Sequence, residues 1–427
     1  MTRRWRRAAA PVFACLVAAA LAGCGNPPHG PRVEVAAVWT GAEQKAFGDV
    51  LAAFERSRGA RVRYTPAGDD IAAVLGTRMQ GGDPPDVAIL PQPGLMTDLA
   101  RRGALKSIQQ VAGAEVEREY APVWRELGTV GGTLYGVWFK AANKSMVWYN
   151  VPVFRNAGVR PPTTWTEMLR MAKIVSDSGV APFSIAGADG WTLTDWFENV
   201  YLRTAGPVLY DRLTRHEIPW TDPSVEVALT VLAQVFGRTE WLPGGTDMAL
   251  QTDFPTSVIQ TVRTPPKAAM VYEGDFVAGV ITGETRARLG TDADFFNFPS
   301  IHGAPSSVVG GGDVAVLLRE SEGGKALLRF LTSPEAGRIW ARLGGFTSPN
   351  RGVSLSAYPD EVSRRSAGAL LDAQVFRFDM SDQMPAAFGG TPGQGEWAIL
   401  QGFLRRPSDI RGTMQRLEES AKQAFGR

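Results

Sequence analysis

The stretch VEVAAVWTGAEQKAFGDVLAAFERSRGARVRYTP, residues 33–66, decides the fold class. It begins with an apolar run at 33–38 that predicts a buried strand, and it ends with a second strand candidate at 60–66. Between the two, apolar residues recur at i, i+3, i+4 and i+7 and predict an amphipathic helix: Phe47, Val50, Leu51 and Phe54. Gly59 is placed to end that helix. The stretch therefore predicts a strand–helix–strand unit.

The alternation of strands and helices continues along the chain. A helical pattern at 70–80 leads through GGDPP into the apolar run DVAIL at 86–90. Strands that alternate with helices predict a parallel sheet of the α/β class. Because ligands of such sheets bind beyond the carboxyl ends of the strands, residues 39–43 and 91–94 are expected at one rim.

From about residue 143 the pattern starts again. KSMVWYN predicts a strand, Thr164 and Glu167 form a capping box ahead of a helix, and KAAMVYEGDFVAGVI predicts a strand followed by a turn. VGGGDVAVLLRES predicts a further strand, Ser333 and Pro334 begin a helix, and a last helix closes the chain. The chain of 427 residues therefore reads as two α/β lobes.

The amino terminus has the pattern of an export signal. Four arginines among the first seven residues precede an apolar run at 8–22, too short for a comfortable membrane span. The sequence LAGC at 21–24 resembles the lipobox of bacterial lipoproteins, which implies a signal peptide at 1–23, a lipidated Cys24 and a flexible tether at 24–31. The alternative is an ordinary secreted protein in which Cys24 is an incidental thiol.

Composition excludes several classes of partner and site. Without the four signal-peptide arginines, the chain has 41 basic and 43 acidic residues. This balance gives no positive electrostatic field that could hold nucleic acid. Histidines at 29, 216 and 302 lie far apart and form no metal motif. We therefore expect no metal, no cofactor and no nucleic acid, and after the signal no run approaches the ~20 apolar residues of a membrane span.

An ordered series of segments resembles the extracellular solute-binding proteins of carbohydrate ABC importers, the cluster with maltose-, trehalose- and α-glucoside-binding members. The segments include WTGAEQKAF, GGDPPDVAILPQPGLMTDLARRGAL, GTLYGVWFKAANKSMVWYN, AAMVYEGDF, VGGGDVAVL, FTSPNRGV and FRFDMSDQMP. The pair LPQPGLM and GGGD is most similar to the α-glucoside-type members.

The resemblance implies a two-lobed, type II periplasmic-binding-protein-like fold, in which each lobe is a sheet flanked by helices and the ligand cleft lies between the lobes. It implies a first lobe at 32–142 and 304–345 and a second at 143–303 and 346–427. It further implies an exported monomer, anchored by lipid to the outer face of the cytoplasmic membrane. Its partners would be a carbohydrate ligand and permease subunits with a separate ATPase chain.

A sugar site needs carboxylates, amides or arginine around a flat aromatic ring, because a pyranose offers hydroxyls together with a C–H face. Residues of these types follow the predicted strands or stand where the family places its ligand contacts: Trp39, Glu43, Gln92, Trp191, Trp196, Glu273, Asp275, Phe276, Gly311, Gly312, Asp313, Arg351 and Trp397. Glycines have no Cβ atom, so Gly311 and Gly312 would let the backbone approach the ligand closely. Phe276 stands where relatives often carry tryptophan, which weakens a stacking role there.

Structural roles compete with several of these assignments. Trp39 could pack the first helix on its sheet, and Glu43 suits the first turn of a helix whatever it contacts. Glu273 and Asp275 could be turn residues, and the tryptophans of WTLTDWFEN could pack a helix. Six other tryptophans are expected in the core: Trp124, Trp138, Trp165, Trp220, Trp241 and Trp340.

Three functions remain open. The first is a lipid-anchored receptor that captures a sugar, most plausibly a di- or oligosaccharide such as an α-glucoside, without breaking a bond. The second is a secreted glycosidase, which would need two carboxylates roughly 5–10 Å apart; the chain has no G-x-S-x-G or H-E-x-x-H motif. The third is the same receptor with a polyol, glycerophosphodiester, peptide or metal as its cargo. We expect no enzyme activity.

Overall fold

The computed structural model describes residues 30–371 and 374–426. The signal peptide at 1–23, Cys24 and most of the tether at 24–31 lie outside the described residues. No helix within the described ranges is long and apolar enough to cross a membrane.

The described residues form two main sheets and one short hairpin. Their strands are β1 (Arg32–Ala37), β2 (Arg61–Pro66), β3 (Val87–Leu90), β4 (Thr129–Val130), β5 (Thr133–Leu134), β6 (Gly136–Asn143), β7 (Met146–Asn150), β8 (Ala181–Ser184), β9 (Ala268–Glu273), β10 (Ala293–Asn297), β11 (Ser307–Leu317) and β12 (Val375–Phe378). The first sheet has the order β12-β11-β3-β1-β2 with β6 also paired to β11, and the second has the order β10-β7-β9-β8.

Helices cover both sheets. They are α1 (Gly41–Arg58), α2 (Ile71–Gln80), α3 (Pro93–Arg101), α4 (Gln109–Glu119), α5 (Pro122–Leu127), α6 (Val151–Asn156), α7 (Trp165–Asp177), α8 (Trp191–Thr214, interrupted at Gly206), α9 (Pro223–Phe236), α10 (Gly245–Ala249), α11 (Phe254–Val262), α12 (Val277–Glu284), α13 (Glu322–Thr332), α14 (Pro334–Ala341), α15 (Glu361–Leu371), α16 (Met380–Gln383), α17 (Ala386–Gly389), α18 (Gly395–Arg405) and α19 (Ile410–Phe425). Short 3₁₀ turns lie at Gly68–Asp70, Thr239–Trp241 and Leu355–Ala357.

The opening stretch folds as its pattern predicts. β1 pairs in parallel with both β2 and β3, and α1 crosses between β1 and β2. All four apolar residues of the predicted helix face are buried, and the helix ends at Gly59 in the left-handed conformation that favours glycine. The expected parallel α/β unit is confirmed.

Local signals in the second half are confirmed as well. Thr164 and Glu167 form both hydrogen bonds of a capping box at the start of α7. Ser333 caps α14, with Pro334 at the first helical position. The turn expected after β9 opens directly into α12, a helix that the sequence pattern did not predict.

Two hydrophobic cores define the two lobes. The first lies around β1, β3 and β11 and includes Phe47, Phe54 and Trp340. The second lies between α8, α9 and α18 and one face of the second sheet. A smaller cluster, with Trp148 at its centre, covers the other face of that sheet. The six tryptophans expected in the core are all buried.

The chain passes between the lobes three times. It leaves the first sheet at the end of β6 and enters the second at β7, it returns from β10 to β11, and it crosses again between β12 and α16. β6 and β11 pair closely at the crossing, where a Cβ on Gly312 would lie 2.4 Å from the carbonyl oxygen of Lys140. Glycine is therefore required for this approach.

The position of the last crossing bears on the lobe boundaries. Phe346, Tyr358 and Ala367 pack in the first core, although the family resemblance implied that 346–427 belong to the second lobe. Phe378 also belongs to the first core, whereas Met380 belongs to the second. We therefore propose that the first lobe extends to about residue 378, while the boundary near 142 remains as predicted.

Candidate functional site

A cavity of about 360 Å³ lies between the two lobes. Its walls come from the carboxyl ends of β1, β2 and β3, from β6 and β11, and from α8, α11, α16 and α18. Its lining residues are Val38, Trp39, Thr40, Glu43, Gly68, Asp69, Ile71, Pro91, Gln92, Lys140, Ala142, Lys144, Asp189, Trp191, Asp253, Phe254, Pro255, Phe276, Gly312, Asp313, Asp382 and Trp397. Strand ends and an interlobe gap are where ligand sites of α/β proteins lie.

The first-lobe wall is organised around Lys140. Its ammonium group pairs with Glu43 and lies 3.8 Å from Asp313 Oδ2, which also accepts a 3.1 Å hydrogen bond from Trp39 Nε1. Burial acts to lower the pKa of Lys140, but the carboxylates of Glu43, Asp313 and Asp275 together raise it, so the lysine stays charged. Burial also raises the pKa of Asp313 to about 6, against the pull of Lys140.

The floor of the cavity is organised around Lys144. Its Nζ lies 2.5 Å from Asp379 Oδ2, 3.2 Å from Asp195 Oδ1 and 3.5 Å from Asp382 Oδ2. Burial acts to lower the pKa of Lys144, and these three carboxylates raise it well above its usual value. The lysine joins β6 to α8 and α16, so it links the interlobe crossing to the second lobe.

A second layer of carboxyl groups lies below the floor. Neither oxygen of Glu273, and only one oxygen of Asp195, has a hydrogen-bond donor among the described side chains, although both residues are buried. Burial raises the pKa of Glu273 to about 8, so this carboxyl holds a proton at neutral pH. A proton on Glu273 that is donated to Asp195 satisfies both groups.

Carboxylates of Asp195, Glu198 and Asp379 lie within 4.8 Å of one another, a spacing that could hold a cation. Glu198 already accepts from Tyr210 and from two backbone N–H groups, and the other two already pair with Lys144. These existing donors make the trio an ion-paired network around Lys144, and we assign no metal to it.

Aromatic rings line the second-lobe side. Trp191 is half-buried, and its ring centroid lies 5.4 Å from that of Phe254 and 6.0 Å from that of Phe276. Its indole nitrogen makes no hydrogen bond within the described residues, so the N–H is open to a ligand. Lys144 Nζ lies over the ring, 5.7 Å from its centroid, and the rest of the half-buried ring lines the cavity. Trp397 also lines the cavity but is only 4 % exposed, and its Nε1 donates a 2.8 Å hydrogen bond to the Gly389 carbonyl.

Three further carboxylates line the cavity outside both lysine clusters. Asp69 follows β2 in the first lobe, whereas Asp189 and Asp253 lie ahead of α8 and α11 in the second. Asp189 accepts a hydrogen bond from the Phe254 backbone N–H, and burial raises its pKa to about 6. The cavity thus presents six carboxylates and two ammonium groups.

The structure brings eight of the thirteen predicted ligand residues to one cavity. They are Trp39, Glu43, Gln92, Trp191, Phe276, Gly312, Asp313 and Trp397. Gln92 donates a 3.3 Å hydrogen bond to the Gly390 carbonyl, and its buried Oε1 has no hydrogen-bond partner within the described ranges. The rim predicted from the ends of β1 and β3 therefore exists.

Five predicted residues do not line the cavity. Trp196 is 1 % exposed and packs on Tyr272 in the second core. Glu273 lies in the layer below the floor. Asp275 is buried and accepts a hydrogen bond from the Thr347 hydroxyl. Its charge is one of those that raise the pKa of Lys140. These three side chains are buried and contact other protein groups instead of the cavity.

The other two of these five residues have structural surroundings as well. A Cβ on Gly311 would lie 2.8 Å from Cε of Lys144, so this glycine makes room for the lysine rather than for a ligand. Arg351 is exposed and donates a hydrogen bond to the Arg118 carbonyl at the end of α4, outside the cavity. We therefore remove Gly311 and Arg351 from the candidate ligand contacts.

Several lining residues were not predicted. Asp69 and Asp382 could have been found, because Asp69 follows β2 just as Glu43 follows β1, and Asp382 lies in the FRFDMSDQMP segment. Lys140 and Lys144 also line the cavity. Asp189 lies between β8 and α8, and Asp253 and Phe254 stand at the start of α11, so long-range packing rather than a local sequence signal brings them to the cavity.

The family model described as bacterial extracellular solute-binding protein matches residues 39–338. A similar protein is the osmoprotective compounds-binding protein GgtB of Synechocystis sp., 34 % identical over 84 % of this chain and 86 % of the relative. Another is the alpha-glucosides-binding periplasmic protein AglE of Rhizobium meliloti, 30 % identical over 93 % of this chain and 89 % of the relative.

Solved structures agree on the fold. The bacterial solute receptor AcbH, whose reported preference is β-D-galactopyranose, has a TM-score of 0.81 at 19 % identity over 93 % of this chain and all of that chain. RafE in complex with raffinose has a TM-score of 0.75 at 17 % identity over 92 % and 99 % of the two chains. The predicted two-lobed binding-protein fold is thereby confirmed. The chain belongs to the bacterial extracellular solute-binding proteins, the family of sugar-binding receptors of ABC importers.

Proposed function

We propose that this protein captures a small sugar of the α-glucoside type outside the cytoplasm and delivers it to an ABC importer. We further propose that Cys24 is lipidated and holds the receptor, as a monomer, at the outer face of the cytoplasmic membrane. The observation that carries the proposal is the interlobe cavity, in which aromatic rings and carboxylates face one space.

The lining suits a carbohydrate. Trp191 offers a ring face on which the C–H side of a pyranose can stack, and the surrounding carboxylates and Gln92 Oε1 accept hydrogen bonds from hydroxyls. A volume of about 360 Å³ is at the small end of ligand cavities, which span ~300–1,000 Å³. This size favours a disaccharide or a glycosylated polyol over a longer oligosaccharide.

Charge argues against a glycerophosphodiester. Six carboxylates line the cavity, and the two ammonium groups are already enclosed by acidic partners. A phosphate needs free arginine or lysine donors to replace its water. A glycosylated polyol remains the second candidate, since GgtB is named for binding osmoprotective compounds.

We propose a receptor rather than a glycosidase. The relatives are binding proteins. Cleavage of a glycosidic bond requires one carboxyl as a free acid and another as a free nucleophile or base. Glu43, Asp313 and Asp382 are each paired with a lysine, whereas the other three cavity carboxylates are not, so the receptor assignment depends on the relatives rather than on the carboxylates.

The binding site also supports a closing motion. The walls come from both lobes, and three chain segments join the lobes, the arrangement in which hinge closure buries a ligand. We propose that the closed, loaded form presents the joined lobe surfaces to the permease subunits.

A thermal-shift screen tests the proposal. The purified protein is heated with trehalose, sucrose, maltose, glucosylglycerol, raffinose, glycerol and glycerophosphocholine, one at a time. A ligand that binds only the folded protein raises the melting temperature by mass action. We expect a rise with at least one glucoside and none with glycerophosphocholine; a rise with glycerophosphocholine alone would refute the sugar assignment. Incubation with labelled disaccharides should yield no products.

A further inference from the structure

Most side-chain hydrogen-bond donors of the cavity are already used within the protein. Three uncharged donors reach protein acceptors: Trp39 Nε1 to Asp313, Gln92 Nε2 to the Gly390 carbonyl and Trp397 Nε1 to the Gly389 carbonyl. The ammonium groups of Lys140 and Lys144 are each enclosed by carboxylates. Among the described lining side chains, this leaves the Trp191 N–H and the Thr40 hydroxyl as open donors.

Acceptors, in contrast, remain open. Gln92 is 95 % buried, its side chain lines the cavity and its Oε1 has no hydrogen-bond partner among the described residues. Asp69 makes no hydrogen bond through either oxygen to another described residue. Asp189 and Asp253 each use one oxygen on a backbone N–H and leave the other open. A ligand that satisfies this cavity therefore has to donate more hydrogen bonds than it accepts.

Three of the open acceptors, Asp69, Asp189 and Asp253, are carboxyl groups with no counter-ion among the described residues. Asp69 belongs to the first lobe and Asp189 to the second, so they approach the cavity from opposite sides. Removal from bulk water, and then the charges of Asp189 and Asp70, raise the pKa of Asp69 to about 7. Asp69 is therefore partly protonated at neutral pH, and a positive group beside it would favour its ionised form. Lobe closure around a neutral ligand would leave the repulsion between Asp69 and Asp189 uncompensated. A positive group between the two carboxylates would attract both of them.

We propose that the preferred ligand of this cavity is a sugar that bears a protonated amine, with the ammonium group bound between Asp69 and Asp189. This inference rests on the proposed sugar-receptor function and narrows its ligand class. An ammonium group supplies three donors and one positive charge, which matches both the excess of acceptors and the excess of carboxylates. Hydroxyl groups of the sugar ring would donate hydrogen bonds to Gln92 Oε1. The C–H face of the sugar would stack on the Trp191 ring.

The experiment compares matched ligands by titration calorimetry at pH 7 and low salt. The probes are trehalose, its 2-amino-2-deoxy and 6-amino-6-deoxy derivatives, and the N-acetyl form of each amine, which keeps the nitrogen but removes the charge. Because each partly exposed ion pair contributes modestly, we expect the better amine to bind about tenfold more tightly than trehalose, a difference of 1.4 kcal/mol. The N-acetyl forms should show no such gain.

Two variants locate the effect. Asp69→Asn should remove most of the amine's advantage, so that the variant binds the better amine and trehalose with affinities within about twofold of each other. Asp49→Asn is the control, because Asp49 is an exposed carboxylate on α1 that does not line the cavity. Added salt should weaken the amine more than trehalose, since exposed charge pairs are screened.

The outcomes separate this inference from the function on which it rests. If trehalose binds as tightly as both amines, or if Asp69→Asn keeps the amine's full advantage, the inference is refuted while the sugar receptor stands. If neither neutral nor aminated saccharides bind, the proposed receptor function falls and this inference falls with it.

Discussion

The buried carboxyl layer below the cavity makes the stability of this protein sensitive to alkaline pH. Glu273 is 1 % exposed, and neither of its oxygens has a donor within the described residues. Replacing it by glutamine keeps the shape and removes the charge, and the amide N–H can donate to Asp195 as the protonated acid does. We predict that Glu273→Gln stabilises the protein at pH 9 and has little effect at pH 5.

The sign and the size follow from linkage. Folding raises the pKa of Glu273 from 4.5 to about 8, so between these pH values the folded state holds a proton that the unfolded state has released. The contribution of Glu273 to the free energy of unfolding therefore falls as the pH rises from 4.5 to about 8. Above about pH 8 this contribution is fully lost. A shift of about 3.5 units corresponds to about 4.8 kcal/mol at most, and relaxation around the new charge reduces the expected difference to about 1–3 kcal/mol.

The assay is urea unfolding of wild type and variant at pH 5, 7 and 9, with the free energy of unfolding extrapolated to water. Glu419→Gln is the control, because Glu419 is exposed on α19. A Glu273→Gln variant that is less stable than wild type at pH 9, or a difference that does not change between pH 5 and pH 9, would refute the buried-proton account.

Other predictions address the walls of the cavity and the anchor. Trp191→Ala should weaken sugar binding by about 1–3 kcal/mol in calorimetry, whereas Trp191→Phe, which keeps a flat ring, should retain most of the affinity; equal losses would argue against stacking. Lys140→Met should lower the free energy of unfolding by about 3 kcal/mol, since it leaves buried carboxylates unpaired, while the exposed Lys45→Met should have no measurable effect. Cys24→Ser should move the protein from the membrane fraction to the soluble fraction on immunoblots; continued membrane association would contradict lipidation.

Local patterns predicted the fold because each is determined by neighbouring residues. The helix α1 follows from the spacing of Phe47, Val50, Leu51 and Phe54, and the start of α7 from its capping box. The rim followed from the rule for strand ends, which placed Trp39, Glu43 and Gln92 at the cavity. The order of the lobes came from the family resemblance, because no local pattern shows where a chain crosses between sheets.

The rest of the site depends on contacts between distant residues. Lys144 meets carboxylates 51 and 235 positions away, so its role could not be predicted from spacing. Trp191 and Trp196 were predicted together, but residues five apart on a helix lie about 140° apart, and only Trp191 faces the cavity. Glu273 ends a strand as expected, yet its side chain points below the floor rather than into the cavity.

Calorimetric titration of the purified protein with trehalose, sucrose, maltose and glucosylglycerol tests the central claim most directly. We expect saturable binding of at least one of them with one site per chain, and weaker binding when Trp191 is replaced by alanine. No heat of binding with any saccharide, or binding that the Trp191→Ala variant keeps at full strength, would contradict a sugar site between the lobes.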